Sequence, residues 1–147
     1  MSLLRVMVDA DVLFAGSASS SDRSASTVVL RLSDIDGVTS EQVMAEAERN
    51  LAGKVPAAVS AFRDLAAAGL RVVPDPTADE VLALDGQADP KDLPILVAAV
   101  RERCDVLVTF NERDYRPGHA DVEVVTPGVL VQRVRRLVAQ ASARGDE

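Results

Sequence analysis

The residues with the clearest chemical potential are acidic, and several follow directly on apolar runs. VMVDADVLF, residues 6–14, closes such a run on two aspartates, Asp9 and Asp11. EQVMAEAERNL carries Glu46, DPKDLP carries Asp89 and Asp92, and NERDY carries Asp114. A carboxylate as close to the end of a strand as Asp9 is expected to be buried, and a buried carboxylate needs a partner or a cation. Several carboxylates converging without a matching set of Lys or His repel one another. A divalent cation relieves that repulsion, and ligation by oxygen alone favours Mg²⁺ or Mn²⁺. The chain has one His and one Cys, too few for a standard structural zinc site. A carboxylate cluster of this kind suits phosphodiester hydrolysis, in which one or two metals activate water and neutralise charge at the phosphate.

Each acid also has a plain structural reading. Asp11 fits the N-cap of a short helix. Asp89, Pro90 and Asp92 fit a cap, a first-turn proline and an acidic third position. Asn111 and Asp114 repeat that cap-to-third spacing, and Glu46 fits a solvated helix position. At this point capping and metal chemistry both stand.

The elements that must position these residues alternate in type. Strands are expected at LLRVMV (3–8), DGVTS (36–40), LRVVP (70–74), DVLVTF (105–110) and VEVVTP (122–127). Helices are expected at STVVLRLSD (26–34), EQVMAEAERNL (41–51), VPAAVSAFRDLAAAG (55–69), TADEVLALDG (77–86), DPKDLPILVAAVRERC (89–104) and GVLVQRVRRLVAQASAR (128–144). In the second of these Val43, Ala47 and Leu51 share one face, with Glu46 beside it. GSASSSDRSAS (16–26) reads as a Ser-rich loop. The alternation predicts a three-layer α/β/α domain, residues 1–147, around a mostly parallel central sheet.

In such a sheet the functional crevice lies beyond the carboxyl ends of the strands. Asp9 and Asp11 end the first strand, and Thr109, Asn111 and Asp114 follow DVLVTF. Asp89 and Asp92 open the helix before that strand, a position expected at the opposite edge unless the loop crosses over.

Composition sets bounds on function. A formal charge of −7 argues against indiscriminate nucleic-acid binding, although a carboxylate-rich nuclease is itself acidic. Fourteen of the sixteen basic residues are Arg, the better bidentate phosphate ligand. Arg113 and Arg116 lie nearest the acids and are the candidate phosphate contacts; Arg133, Arg136 and Arg144 share a face of the last helix. The single Cys104 fits a reducing compartment and a core position, and the loop residue His119 is given no role. No apolar run reaches membrane-spanning length and residues 1–8 do not make a signal peptide, so the expected location is cytoplasmic.

The ordered set of segments resembles the PIN-domain ribonucleases, most closely the branch of toxin components similar to VapC. VMVDADVLFAG resembles the opening strand with its first acid, Asp9. VTSEQVMAEAERNL resembles the segment bearing the second, Glu46. DPKDLPILVAAVRERCDVLVTFNERDY resembles the helix with the third, Asp92, then the strand with its threonine and acidic turn. VEVVTPGVLVQRV resembles the closing strand and helix. The resemblance implies a Mg²⁺- or Mn²⁺-dependent endoribonuclease for single-stranded RNA. Asp9, Glu46, Asp92 and Asp114 would hold metal, and Thr109 would orient a ligand or water. It also implies homodimerisation and inhibition by a small antitoxin protein.

Two departures stand out. Asp11 occupies a position where the family has Asn, Ser or Thr, and Asn111 one where this branch has its fourth Asp. Asp114 is therefore assigned the fourth acidic role, with Asn111 and Asp11 in support. A degenerate member that binds RNA or protein without cutting is the alternative. DADVLF (9–14) is also similar to the opening motif of haloacid dehalogenase-like phosphatases, with Asp9 as nucleophile, but Leu13 departs from that motif.

Overall fold

The computed structural model describes residues 2–19 and 24–145. Among these residues five parallel strands form one sheet: β1 (Leu4–Val8), β2 (Ile35–Ser40), β3 (Leu70–Val73), β4 (Val106–Val108) and β5 (Glu123–Val125), in the order β3-β2-β1-β4-β5. The helices are α1 (Ala10–Ala18), α2 (Ala25–Arg31), α3 (Glu41–Lys54), α4 (Val59–Gly69), α5 (Ala78–Ala83), α6 (Leu93–Arg101) and α7 (Pro127–Gly145). The steps β1 to β2 and β2 to β3 run one way across the sheet, and the step β3 to β4 runs back. Right-handed crossovers then place the helices of the first two steps on one face and α5 and α6 on the other. The packing agrees: α1 touches α2, α3 and α4, whereas α6 packs on α5 and β4. The three-layer architecture expected from the alternation is the one observed.

The central strands are covered on both sides. Val6, Met7, Val8, Leu107 and Val108 have essentially no exposed surface, the pattern that fully covered parallel strands require. Each such aliphatic side chain contributes roughly 1.5–3 kcal/mol through burial. On α3, Val43, Ala47 and Leu51 are buried at helical spacing. This points the neighbouring stripe, Gln42 and Glu46, toward the carboxyl edge of the sheet.

Several expected boundaries move. The Ser-rich stretch is not a loop from Gly16 onward, because α1 runs through Ala18; residues 20–23 lie outside the described residues. Gly16 has a packing reason to be in that helix. A Cβ there would stand 2.5 Å from Leu30 Cδ1 and 3.0 Å from the Ser26 carbonyl oxygen. The hydrogen marks where α1 and α2 approach closely, not a break in the chain. The helix expected over 55–69 is divided into a 3-10 turn, Pro56–Ala58, and α4. The helix expected over 89–104 begins only at Leu93 and stops at Arg101.

Candidate active site

The switch in winding direction falls between β1 and β4, which is where an open parallel sheet leaves a crevice at its carboxyl edge. Asp9 lies just beyond β1 and Thr109 just beyond β4. The Asp9 amide donates to the Val108 carbonyl at 3.1 Å, carrying the strand pairing into the crevice.

Asp9 is only 7% exposed. It is also the N-cap of α1, with Oδ1 accepting from the Ala10 amide at 2.7 Å. Its other oxygen, Oδ2, accepts from the Thr109 hydroxyl at 2.9 Å and from the Tyr115 phenol at 2.8 Å. The capping role expected at Asp11 belongs to Asp9, and it does not exclude a place in the cleft.

Asp11 lies in the first turn of α1. Its Oδ2 accepts from the Phe110 amide at 3.0 Å and the Asn111 side-chain amide at 3.1 Å, with Thr109 Oγ1 at 3.3 Å. Asn111 thus makes no capping bond of its own and supports Asp11 instead. The other oxygen, Asp11 Oδ1, is buried with no hydrogen-bond partner. Burial, and then the Asp9 charge, push the Asp11 carboxyl up to about 6.

Asp92 and Asp114 arrive from two linked turns. The Asp89 amide donates to the Asp114 carbonyl at 2.7 Å, tying the start of α6 to the 3-10 turn Glu112–Tyr115. Asp92 reaches the cleft because α6 runs antiparallel to the strands and therefore begins at their carboxyl edge; the expectation that it would start at the opposite edge is corrected. Nor is Asp92 the acidic third helical position behind a cap at Asp89. It occupies the cap position itself, with no side-chain capping bond, while the Asp89 carboxylate accepts locally from the Lys91 amide at 3.1 Å. Burial and then Asp9 raise the Asp92 carboxyl to about 7, with Lys91 pulling the other way.

These side chains share one cleft of about 250 Å³, lined by Asp9, Asp11, Glu46, Asp92, Asn111 and Asp114, together with Gln42 and Lys91. Four separate segments supply its carboxylates. The Lys91 ammonium stands 3.6 Å from Asp114 Oδ2 and 3.9 Å from Asp92 Oδ2. Among the described residues no three His, Cys, Asp or Glu side chains already stand close enough together to hold a metal ion. The donor set still fits one. It is made of carboxylate oxygens, one buried oxygen lacks a partner, and two carboxyls are held toward protonation by burial and then by the neighbouring Asp9 charge. A hard divalent cation answers all three conditions.

Three participants were not apparent from residue spacing. Tyr115 is buried at 2% exposure, and the acidic NERDY turn disguises it. Burial, and then the neighbouring Asp9 charge, push its phenol well above the ordinary range, so it remains a donor. Gln42 and Lys91 carry no motif of their own. Arg113 and Arg116 line a second depression that shares Asn111 and Asp114 with the cleft. Arg133 is instead taken up by Glu123, at 2.5 and 2.8 Å, which removes one of the three arginines expected on that face of α7. Cys104 is buried, as expected.

A family model described as PIN domain matches residues 5–113. The match takes in Asp9, Glu46, Asp92, Thr109 and Asn111 and stops one residue short of Asp114. Among solved structures, a toxin-antitoxin complex from Klebsiella pneumoniae has a chain similar at TM-score 0.63 and 21% identity, covering 83% of this chain and 97% of that one. PAE2754 from Pyrobaculum aerophilum is similar at TM-score 0.64 and 19% identity, covering 90% and 96%. Mycobacterium tuberculosis VapC20, a Sarcin-Ricin loop cleaving toxin, is similar at TM-score 0.59 and 16% identity, covering 80% and 98%. At these identities the likeness is one of fold. No curated protein sequence matches significantly.

Proposed function

The chain belongs to the PIN domain family, and from that premise we propose that it is a metal-dependent endoribonuclease for single-stranded RNA, the toxin of a pair with a small antitoxin. The observation that carries this reading is the meeting of Asp9, Glu46, Asp92 and Asp114, from four segments, on one cleft at the topological switch of the sheet. The fold shared with a chain of a toxin-antitoxin complex and with VapC20 supports the toxin assignment. Homodimerisation is proposed with it.

In this reading Asp9, Glu46, Asp92 and Asp114 hold Mg²⁺ or Mn²⁺. A divalent ion held there would supply Lewis acidity toward the phosphodiester. The chain's own residues do the positioning. Thr109 and Tyr115 fix Asp9 Oδ2 from two sides, leaving the carboxylate little freedom to rotate. Asp11 and Asn111 hold the start of the acidic turn against α1. Arg113 and Arg116 neutralise backbone phosphates beside the cleft.

A second reading, a PIN domain that binds without cutting, is favoured by one observation: Lys91 already stands between Asp92 and Asp114. The phosphatase reading of Asp9 is not retained, because the family is a different one. Incubating a labelled single-stranded RNA pool with Mg²⁺, Mn²⁺ or EDTA separates the first two. Cutting that requires the ion supports the nuclease, and RNA retention without cutting supports the binding module.

A further inference from the structure

The chain has four aromatic residues, three Phe and one Tyr. Tyr115 and Phe62 are buried, and Phe14 packs against the core, with the Lys54 ammonium 5.7 Å above its ring. Phe110 is the exception: its residue surface is 50% exposed. It sits at the carboxyl edge immediately after Thr109, and its amide is anchored to Asp11 Oδ2 at 3.0 Å. The ring is therefore carried on backbone fixed to the cleft itself.

Phe110 lines a depression of about 440 Å³ together with Arg113, Arg116 and the acidic Glu112. Asn111 and Asp114 line both this depression and the carboxylate cleft, so the two are contiguous. Among the described residues Arg113 and Arg116 make no ion pair or side-chain hydrogen bond; the same holds for Arg49, Arg103, Arg135 and Arg136, but of these only Arg113 and Arg116 line the depression beside the carboxylate cleft. In a chain of charge −7, two unpaired guanidiniums and an exposed ring beside an acidic cleft form a local surface suited to one kind of ligand. A single strand of nucleic acid offers alternating flat bases and phosphates, and exposed aromatics with adjacent cations are how proteins track it.

We propose that Phe110, Arg113 and Arg116 form a strand-holding subsite flanking the cleft, in which an unpaired base of RNA stacks on the Phe110 ring and neighbouring backbone phosphates pair with the two guanidiniums. The choice of RNA rests on the endoribonuclease reading; the stacking geometry rests on the surface itself. Stacking on a ring does not read base identity, so this subsite favours unpaired RNA over duplex with weak sequence preference.

The test is binding of a short fluorescein-labelled oligoribonucleotide, followed by anisotropy in EDTA so that no metal-dependent cutting intervenes. Phe110→Ala is expected to weaken binding about ten-fold without changing its salt dependence. Arg113→Gln with Arg116→Gln is expected to flatten the logarithmic salt slope by about 0.7 per charge removed. Phe110→Trp restores affinity, and because the chain has no other Trp, indole emission should be quenched as RNA saturates the protein. Wild-type affinity in Phe110→Ala, unchanged indole emission at saturation, or no RNA binding by wild type would overturn the proposal. So would a shift in oligomeric state of Phe110→Ala with RNA binding intact, which would assign the ring to a protein contact. If Phe110→Ala weakens binding but wild type cuts nothing with Mg²⁺ or Mn²⁺, the subsite stands and the nuclease reading falls. If wild type cuts and Phe110→Ala binds normally, the subsite alone falls.

Discussion

The Tyr115 phenol donates to Asp9 Oδ2 at 2.8 Å across 106 positions of sequence. This bond fastens the acidic turn to the first strand and fixes one face of the most buried carboxylate in the cleft. Tyr115→Phe keeps the ring and removes only the donor. The variant should fold and lose about 1.5 kcal/mol of stability, as expected for a buried bond to a charged group. RNA cleavage should fall roughly ten-fold, as when a partner orienting a metal-holding side chain is removed. Urea unfolding and cleavage rates on the same preparation check both.

The raised carboxyls make a signed prediction about pH. Asp11 is shifted from 3.8 to about 6 and Asp92 from 3.8 to about 7, each by burial and then by Asp9. A carboxyl with a raised folded-state pKa binds its proton more tightly when folded. Its contribution is fully present below pH 3.8 and is lost as pH rises through about 6 for Asp11 and about 7 for Asp92. Asn mimics the protonated form. In EDTA, Asp11→Asn and Asp92→Asn should therefore melt close to wild type at pH 4 and above it at pH 8. Added Mn²⁺ should reverse the order for Asp92→Asn, because that variant lacks a proposed ligand. Scanning calorimetry across this range, with and without metal, reads both effects.

Lys91 presents a cation to Asp92 and Asp114 at 3.9 and 3.6 Å. A fixed positive charge at that distance competes with a divalent ion for the same oxygens. Lys91→Gln should bind Mn²⁺ several-fold more tightly in isothermal titration, and RNA less tightly. Weaker Mn²⁺ binding would show that the ammonium helps to assemble the site.

Much of this arrangement was legible in the sequence, for particular reasons. Apolar runs ending in Asp9 and in Thr109 identified β1 and β4, because strands covered on both faces leave little room for polar residues. Glu46 was legible from its place beside the Val43, Ala47 and Leu51 stripe. What was hidden depended on contacts between distant segments. α1 was obscured because Gly16 and the serines after it resemble a loop, yet the glycine is there to admit Leu30 and the Ser26 carbonyl. The position of Asp92 depended on the direction of a crossover, and Tyr115 on a partner 106 positions away in sequence.

Gly16 carries its own prediction. A methyl at Gly16 must displace Leu30 and press on the Ser26 carbonyl. Gly16→Ala should cost about 1–3 kcal/mol, the usual range for overpacking, despite alanine's better helix propensity. Equilibrium unfolding in urea measures it.

The central claim is that carboxylates from four segments act as one metal-dependent RNA-cutting site. The most direct measurement is cleavage of single-stranded RNA in Mn²⁺ by Asp9→Asn, Glu46→Gln, Asp92→Asn and Asp114→Asn, each shown to be folded, beside wild type and Asp64→Asn on the exposed side of α4. Each of the four is predicted to lose most of its activity while Asp64→Asn keeps it. Undiminished cutting by Asp9→Asn or Asp92→Asn, or equal cutting by wild type in EDTA, would contradict the account.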